Sequence, residues 1–156
     1  MERRGGAVAI RAFMGKAHPR LDEKGRVILP ARFRDRLSDG VVLTKGQEHC
    51  INVWPREEFD SQLEAVRVRS ITSAADRAYS RVLLASANEE EADKQGRVTL
   101  ASDLRQWAGL GQELTVVGQY DHLEIWDFAA WAAYEAAHDE GFAQLDEGGP
   151  PTPSLT

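Results

Sequence analysis

The chain carries one motif twice, in order and at a fixed distance. Asp22-Glu23-Lys24-Gly25-Arg26-Val27-Ile28-Leu29 returns 71 positions later as Asp93-Lys94-Gln95-Gly96-Arg97-Val98-Thr99-Leu100. At the same offset Arg34 matches Arg105 and Gly40 matches Gly111; one inserted residue later, Gly46-Gln47 matches Gly118-Gln119 and Trp54 matches Trp126. An ordered series of this kind means two copies of one supersecondary unit of roughly fifty residues. A lone unit of about that size sits at the margin of independent stability. The two copies are therefore expected to pack their hairpins into one shared barrel, an intramolecular pseudo-dimer rather than two separate beads.

Each copy reads alike along the chain. Residues 12–16 and 88–92 suit short first strands, and the Asp-x-x-Gly-Arg stretch supplies a turn whose glycine accepts positive φ. Val27-Ile28-Leu29 and Val98-Thr99-Leu100 read as return strands. Pro30 suits the first turn of a helix running to about Leu37. The second copy has Ala101-Ser102 in place of Pro30-Ala31, so its helix, ending by Gly109, lacks a fixed φ and relies on Ser102 or Asp103 as a cap. Val41–Thr44 and Leu114–Val117 are third strands, Ile51–Trp54 and Leu123–Trp126 fourth strands, each pair joined by a polar, glycine-containing connection. A helix follows each fourth strand. Residues 55–68 place Phe59, Leu63 and Val66 on one face, and residues 127–139 start at the N-cap Asp127 and place Phe128, Trp131 and Tyr134 together. Residues 72–84 also read as a helix, with Ala75, Ala78, Tyr79, Val82 and Leu83 as its apolar stripe.

The expected plan is an extension over 1–11, a first unit over 12–58, a helical linker over 59–86, a second unit over 87–130, a C-terminal helix over 131–146 and a Gly/Pro-rich tail over 147–156. The extension and the tail are expected to be disordered. The fold class is mainly β with α (α+β), a tandem swapped-hairpin barrel with flanking helices.

Composition narrows the function classes. No apolar run approaches the ~18 residues of a membrane span, and the N-terminus has no apolar core for a signal peptide, so a cytoplasmic protein without membrane contact is expected. A single cysteine, Cys50, excludes an internal disulfide. His18, His49, His122 and His138 are scattered without ligand spacing, so no metal and no cofactor is expected. The net charge of −6 hides a split: residues 1–36 carry ten Lys/Arg against four Asp/Glu, whereas residues 37–156 carry nine against twenty-one. Such asymmetry points to nucleic-acid contact by the basic part.

The paired motif explains how that contact is made. An Asp and an Arg four apart across a tight turn approach in space, and the carboxylate can hold the guanidinium by a bidentate pair. Arginine also suits two acceptors at once, such as guanine O6 and N7, and a two-stranded β-ribbon fits the major groove. Arg26 and Arg97 are the expected DNA contacts, with Arg20, Lys24, Gly25 and Lys94 beside them on base edges or phosphates. Asp22, Asp93 and Gly96 are expected to order the loops. An exposed Asp–Arg pair alone is a turn lock worth about 0–1 kcal/mol; its recurrence, with a basic surplus around the first copy, favours the DNA reading. Lys16, Arg20, Lys24 and Arg32 surround the first motif and Glu89, Glu90 and Glu91 the second, so the first copy is expected to dominate affinity.

The stretch from Phe13 to Arg34, with Asp22-Glu23-Lys24-Gly25-Arg26 at its centre, resembles the N-terminal signature of the MraZ family, and Asp93–Arg97 resembles that family's second Asp-x-x-x-Arg motif. The likeness runs from about Phe13 to Gly141; residues 1–11 lie outside it. It implies two AbrB-like swapped-hairpin domains in one chain and a bacterial transcriptional regulator, expected to act as a repressor at the nucleoid. It further implies ring-shaped homo-oligomers, octamers or dodecamers, that bind double-stranded DNA at short direct repeats upstream of the division and cell-wall gene cluster.

Other classes fare less well. Asp22 and Asp93 have no histidine at catalytic spacing, and His49 and Cys50, as neighbours on a strand, point to opposite faces. Gly109-Leu110-Gly111 precedes a strand, not a helix, so it is no phosphate loop. Trp54, Trp126 and Trp131 suit core or subunit contacts better than base stacking. No enzyme and no small-molecule substrate are expected. The alternative is a protein-interaction or antitoxin-like module of the same hairpin class acting through a protein partner.

Overall fold

The computed structural model describes residues 12–69 and 71–145. The extension and the tail expected to be disordered lie outside the described residues. The described residues form eight strands: β1 (Lys16–Ala17), β2 (Arg26–Ile28), β3 (Val41–Gly46), β4 (Cys50–Pro55), β5 (Asn88–Glu90), β6 (Arg97–Thr99), β7 (Leu114–Gly118) and β8 (Leu123–Asp127). The helices are α1 (Arg56–Arg69), α2 (Ala74–Ser86), α3 (Ser102–Ala108) and α4 (Phe128–Ala143), with a 3-10 helix over Ala31–Leu37.

The two copies are interleaved. Six strands form one antiparallel sheet in the order β1-β7-β8-β4-β3-β5, and β2 pairs only with β6 in a separate two-stranded ribbon. β1 joins the second copy's β7, and β5 joins the first copy's β3. Residues equivalent in the repeat face one another: Val27 opposes Val98 in the ribbon and Asn52 opposes Glu124 between β4 and β8. That register is a two-fold arrangement within one chain. The α+β class holds, but the sheet is open and the expected closed barrel does not form. Helical residues also outnumber strand residues.

One core serves both copies. Val27, Leu29, Val98 and Leu100 from the ribbon side pack with Leu43, Ile51, Val53, Leu114, Val116, Leu123 and Ile125 from the sheet. Each such side chain, fully buried, contributes about 1.5–3 kcal/mol. Deletion of either copy would uncover half of it.

Local departures from the sequence reading have physical causes. The first strands are shorter than expected: β1 keeps only two residues, flanked by isolated bridges at Phe13–Tyr120 and Arg20–Glu113. Gly15, at φ 84°, turns the chain before β1, and Pro19 has no N–H to extend the ladder. The N-terminal segment also crosses directly over Gly118, where a Cβ would lie 2.5 Å from the backbone of Phe13 and Met14.

The helices after the return strands reverse the expected order of regularity. The proline-led segment is 3-10, because Pro30 stays extended outside it and its carbonyl accepts from Phe33 N–H at 3.0 Å. The proline-free α3 is α-helical, starts after Ala101, which has no capping side chain, has Asp103 Oδ1 accepting the first-turn N–H of Leu104 at 3.0 Å, and is stopped by Gly109 at φ 60°. Pro55 ends β4 instead of opening α1. Ser73 and Asp127 cap α2 and α4 through Asp76 N–H and Ala130 N–H. The expected stripe on α2 is not buried, with Tyr79 44% and Val82 52% exposed. No described helix is long and apolar enough to cross a membrane.

Candidate nucleic-acid interface

The ribbon gives the site its geometry. Successive strand residues alternate faces, so Val27 and Val98, each 1% exposed, point into the core. Arg26, Ile28, Arg97 and Thr99 share the outer face, in the register Arg26–Thr99 and Ile28–Arg97. Because the strands run antiparallel, the two Asp-x-x-Gly-Arg loops sit at opposite ends of this face.

Each loop is closed by its aspartate. Asp22 Oδ1 accepts from the backbone N–H of Lys24 at 2.9 Å and of Arg26 at 2.8 Å, while Oδ2 accepts from Arg26 Nε at 2.8 Å. Asp93 does the same, with Gln95 N–H and Arg97 N–H at 2.9 Å and Arg97 Nε at 2.6 Å. The expected bidentate grip on the guanidinium is therefore corrected: one carboxylate oxygen is taken by backbone donors, so the carboxylate reaches only Nε. That leaves the terminal nitrogens of Arg26 without a hydrogen-bond partner among the described residues. Both carboxyls are held below the usual aspartate range, first by the backbone N–H bonds from Arg26 and Arg97; burial opposes this, and the guanidinium and the second backbone donor lower them further.

The loops are locked across the two-fold. Leu29 N–H donates to Gly96 O at 3.2 Å and Leu100 N–H to Gly25 O at 2.8 Å. Arg105, from α3, donates to Leu100 O and lies over Gly25; Arg34 donates to Leu29 O and lies over Gly96. Gly25 and Gly96 have φ of 76° and 81°. A Cβ at Gly25 would lie 3.0 Å from Arg105 Cζ, and one at Gly96 would lie 2.6 Å from Arg34 Nε. Gly25, expected among the contacts, is buried like Gly96, with its N–H bonded to Asp22 O and its carbonyl to Leu100 N–H. Arg105, whose sequence position would put it beside the second motif, lies at the first loop instead; the recurrence of Arg34 as Arg105 is the sequence signal for this pair.

Comparison with known proteins decides what kind of chain this is. The family model described as "MraZ protein, putative antitoxin-like" matches twice, over residues 12–82 and 83–149. This chain belongs to the MraZ family. It is 51% identical over 136 residues to the "Transcriptional regulator MraZ" of Salinispora tropica, covering 87% of this chain and 96% of the relative. The Salinispora arenicola protein of the same name matches over the same shares at 51%, and that of Thermobifida fusca is 50% identical over 86% of this chain and 94% of its own length.

In this member of the MraZ family several of the charged side chains around the loops have partners within the chain. Lys24 and Lys94 are exposed. Lys16 instead pairs with Glu135 at 2.8 Å, Arg20 approaches Glu113 at 3.8 Å, and Arg32 donates to Lys16 O. Beside the second loop Glu89 pairs with Arg56 at 3.0 Å. Arg105 serves the first loop and Arg34 the second, so each motif takes one cation from the other copy. Part of the charge beside each loop is therefore paired within the chain.

The remaining candidates are engaged elsewhere. Cys50 Sγ donates to Gln47 O, and burial pushes its thiol well up, while His49 stacks on Trp107 at 4.1 Å. Trp54 and Trp126 are buried, and Trp131 packs edge-on against Trp126. Among the described residues no cluster of three His, Cys, Asp or Glu side chains is arranged to hold a metal.

Proposed function

We propose that this protein is a sequence-specific DNA-binding transcriptional regulator, a repressor, whose ribbon face enters the major groove. Residues 12–58 and 87–130 act as its two reading units. The observation that carries this is the outer face of β2 and β6, where two arginines are oriented by aspartates that consume only Nε. Arg26, held through Nε with its terminal nitrogens open, is pre-organised for guanine O6 and N7, while Arg97 has its Nη2 on Gln95 Oε1. Lys24, Lys94 and Arg20 add phosphate or base-edge contacts, and Asp22 and Asp93 orient without contacting DNA, since a carboxylate near phosphate is repulsive. Each ribbon covers few base pairs, so a ring of identical subunits gains affinity on short direct repeats through effective concentration. The division and cell-wall gene cluster is the target that the family resemblance implies, and the relatives named as transcriptional regulators support the regulatory role.

The half-exposed Tyr79, Val82 and Leu84 on α2 favour a second reading, a module that acts through a protein partner. A salt-series titration separates the two. Wild type, Arg26→Ala and Arg97→Ala are compared on duplex DNA from the upstream region of the protein's own operon and on scrambled DNA. The DNA reading expects a steep salt slope and loss of sequence preference in Arg26→Ala while the protein stays folded and oligomeric. A flat slope, with both variants binding like wild type, would transfer the function to the helices.

A further inference from the structure

We infer that Ile28, supported by the methyl group of Thr99, reads the C5-methyl group of thymine, so that the ribbon selects thymine as well as guanine. This rests on the reading that the ribbon face meets DNA. Ile28 is 47% exposed, whereas Val27 and Leu29 on either side are 1% and 2% exposed. It faces outward because of the alternation of β2, not because the core lacked room for it. Directly across lies Arg97, and across from Arg26 lies Thr99. The four side chains form a square with the arginines on one diagonal and the two β-branched residues on the other.

The chemistry of the groove fits that arrangement. The arginines answer the guanine acceptors, and the thymine methyl is the apolar feature the major groove displays, recognised elsewhere by small apolar side chains and threonine methyls. Each arginine lies directly across from a β-branched residue, and side chains directly opposite on a ribbon are about 4.5–5.5 Å apart at Cβ, between one and two base steps of ~3.4 Å. An arginine on guanine therefore brings the opposing β-branched side chain near a neighbouring base pair. An exposed isoleucine flanked by two cations gains nothing from water. Against a methyl group it removes apolar area from both partners.

Replacing thymine by deoxyuridine, one position at a time, in the operon duplex tests this. Wild type should bind about fourfold more weakly at one or two positions, the factor matching about 0.8 kcal/mol per buried methyl-sized group at 1.4 kcal/mol per tenfold. Ile28→Ser should bind the thymine and uracil duplexes equally at those positions, and Ile28→Gln should do the same, which guards against a folding defect in one variant. Thr99→Ser should show a smaller loss of discrimination. If Arg26→Ala loses sequence preference but wild type ignores uracil everywhere, or Ile28→Ser still discriminates, the methyl reading is overturned and the DNA reading stands. A change of subunit number in Ile28→Ser with discrimination intact would make Ile28 a subunit contact instead. If Arg26→Ala and wild type bind alike, the DNA reading itself falls.

Discussion

The loop at 22–26 and the loop at 93–97 are closed by the same five hydrogen bonds, yet they leave their arginines in different states. In the first, position 24 is a lysine that points to solvent, and the terminal nitrogens of Arg26 stay open. In the second, the equivalent position is Gln95, whose Oε1 accepts from Arg97 Nη2 at 2.9 Å. The backbone frame is thus set by Asp and Gly, while a single variable residue decides how much of each guanidinium remains for a ligand. The shared part of the repeat builds the loop; the unshared part tunes it.

The largest effect that would break this comparison is at the glycines. Gly96→Ala forces a side chain into positive φ and against Arg34, and should destabilise by about 1–3 kcal/mol in urea unfolding. Gly25→Ala should cost less, because Arg105 stands farther back. Equal losses would mean that the arginine lids yield freely. Next, Arg26→Ala should weaken specific binding by more than Arg97→Ala, with about 1–3 kcal/mol at stake for a bidentate base contact. Gln95→Ala should narrow that gap by releasing Arg97. Smaller still, Lys24→Gln should reduce the slope of log affinity against log salt by about 1 if Lys24 neutralises one phosphate. Titration of Gln95→Lys should raise the slope by a similar amount.

The smallest effect concerns pH. Asp22 and Asp93 have folded-state pKa values below their unfolded ones. Their contribution to stability is complete above the ordinary aspartate value of about 3.9 and is lost as pH falls through the lower folded values. Thermal unfolding from pH 6 to pH 2.5 should show a shallow acid decline that flattens in the Asp22→Asn, Asp93→Asn double variant. An unchanged decline would mean that other carboxyls dominate it.

Much of this architecture was legible in the sequence, and the failures share a cause. The third and fourth strands are long, apolar and β-branched, so local pattern and tertiary role agree; each extends only one or two residues beyond its expected range. Asp127 announced α4 as its cap, although the helix runs on to Ala143. β1 and β5 were less visible because their partners lie in the other copy and most of their length is spent crossing, not pairing. The bidentate grip failed for a similar reason: spacing brings Asp22 to Arg26, but cannot show that backbone donors reach Oδ1 first. The same limit applies to Arg34 and Arg105, which repeat in sequence yet act across the two-fold, each on the loop of the other copy.

The register that sets Val27 against Val98 has a consequence for how such a protein changes over time. A homodimer of one unit meets its target with two identical heads related by a two-fold, so any substitution alters both, and the preferred site stays palindromic. Here both heads are encoded separately in one chain. Position 24 is lysine while position 95 is glutamine, so on the proposed DNA reading the two half-sites are free to differ without a second gene. Covalent fusion turns a mirror into a sentence with a direction, the kind of site that can be laid head to tail along DNA.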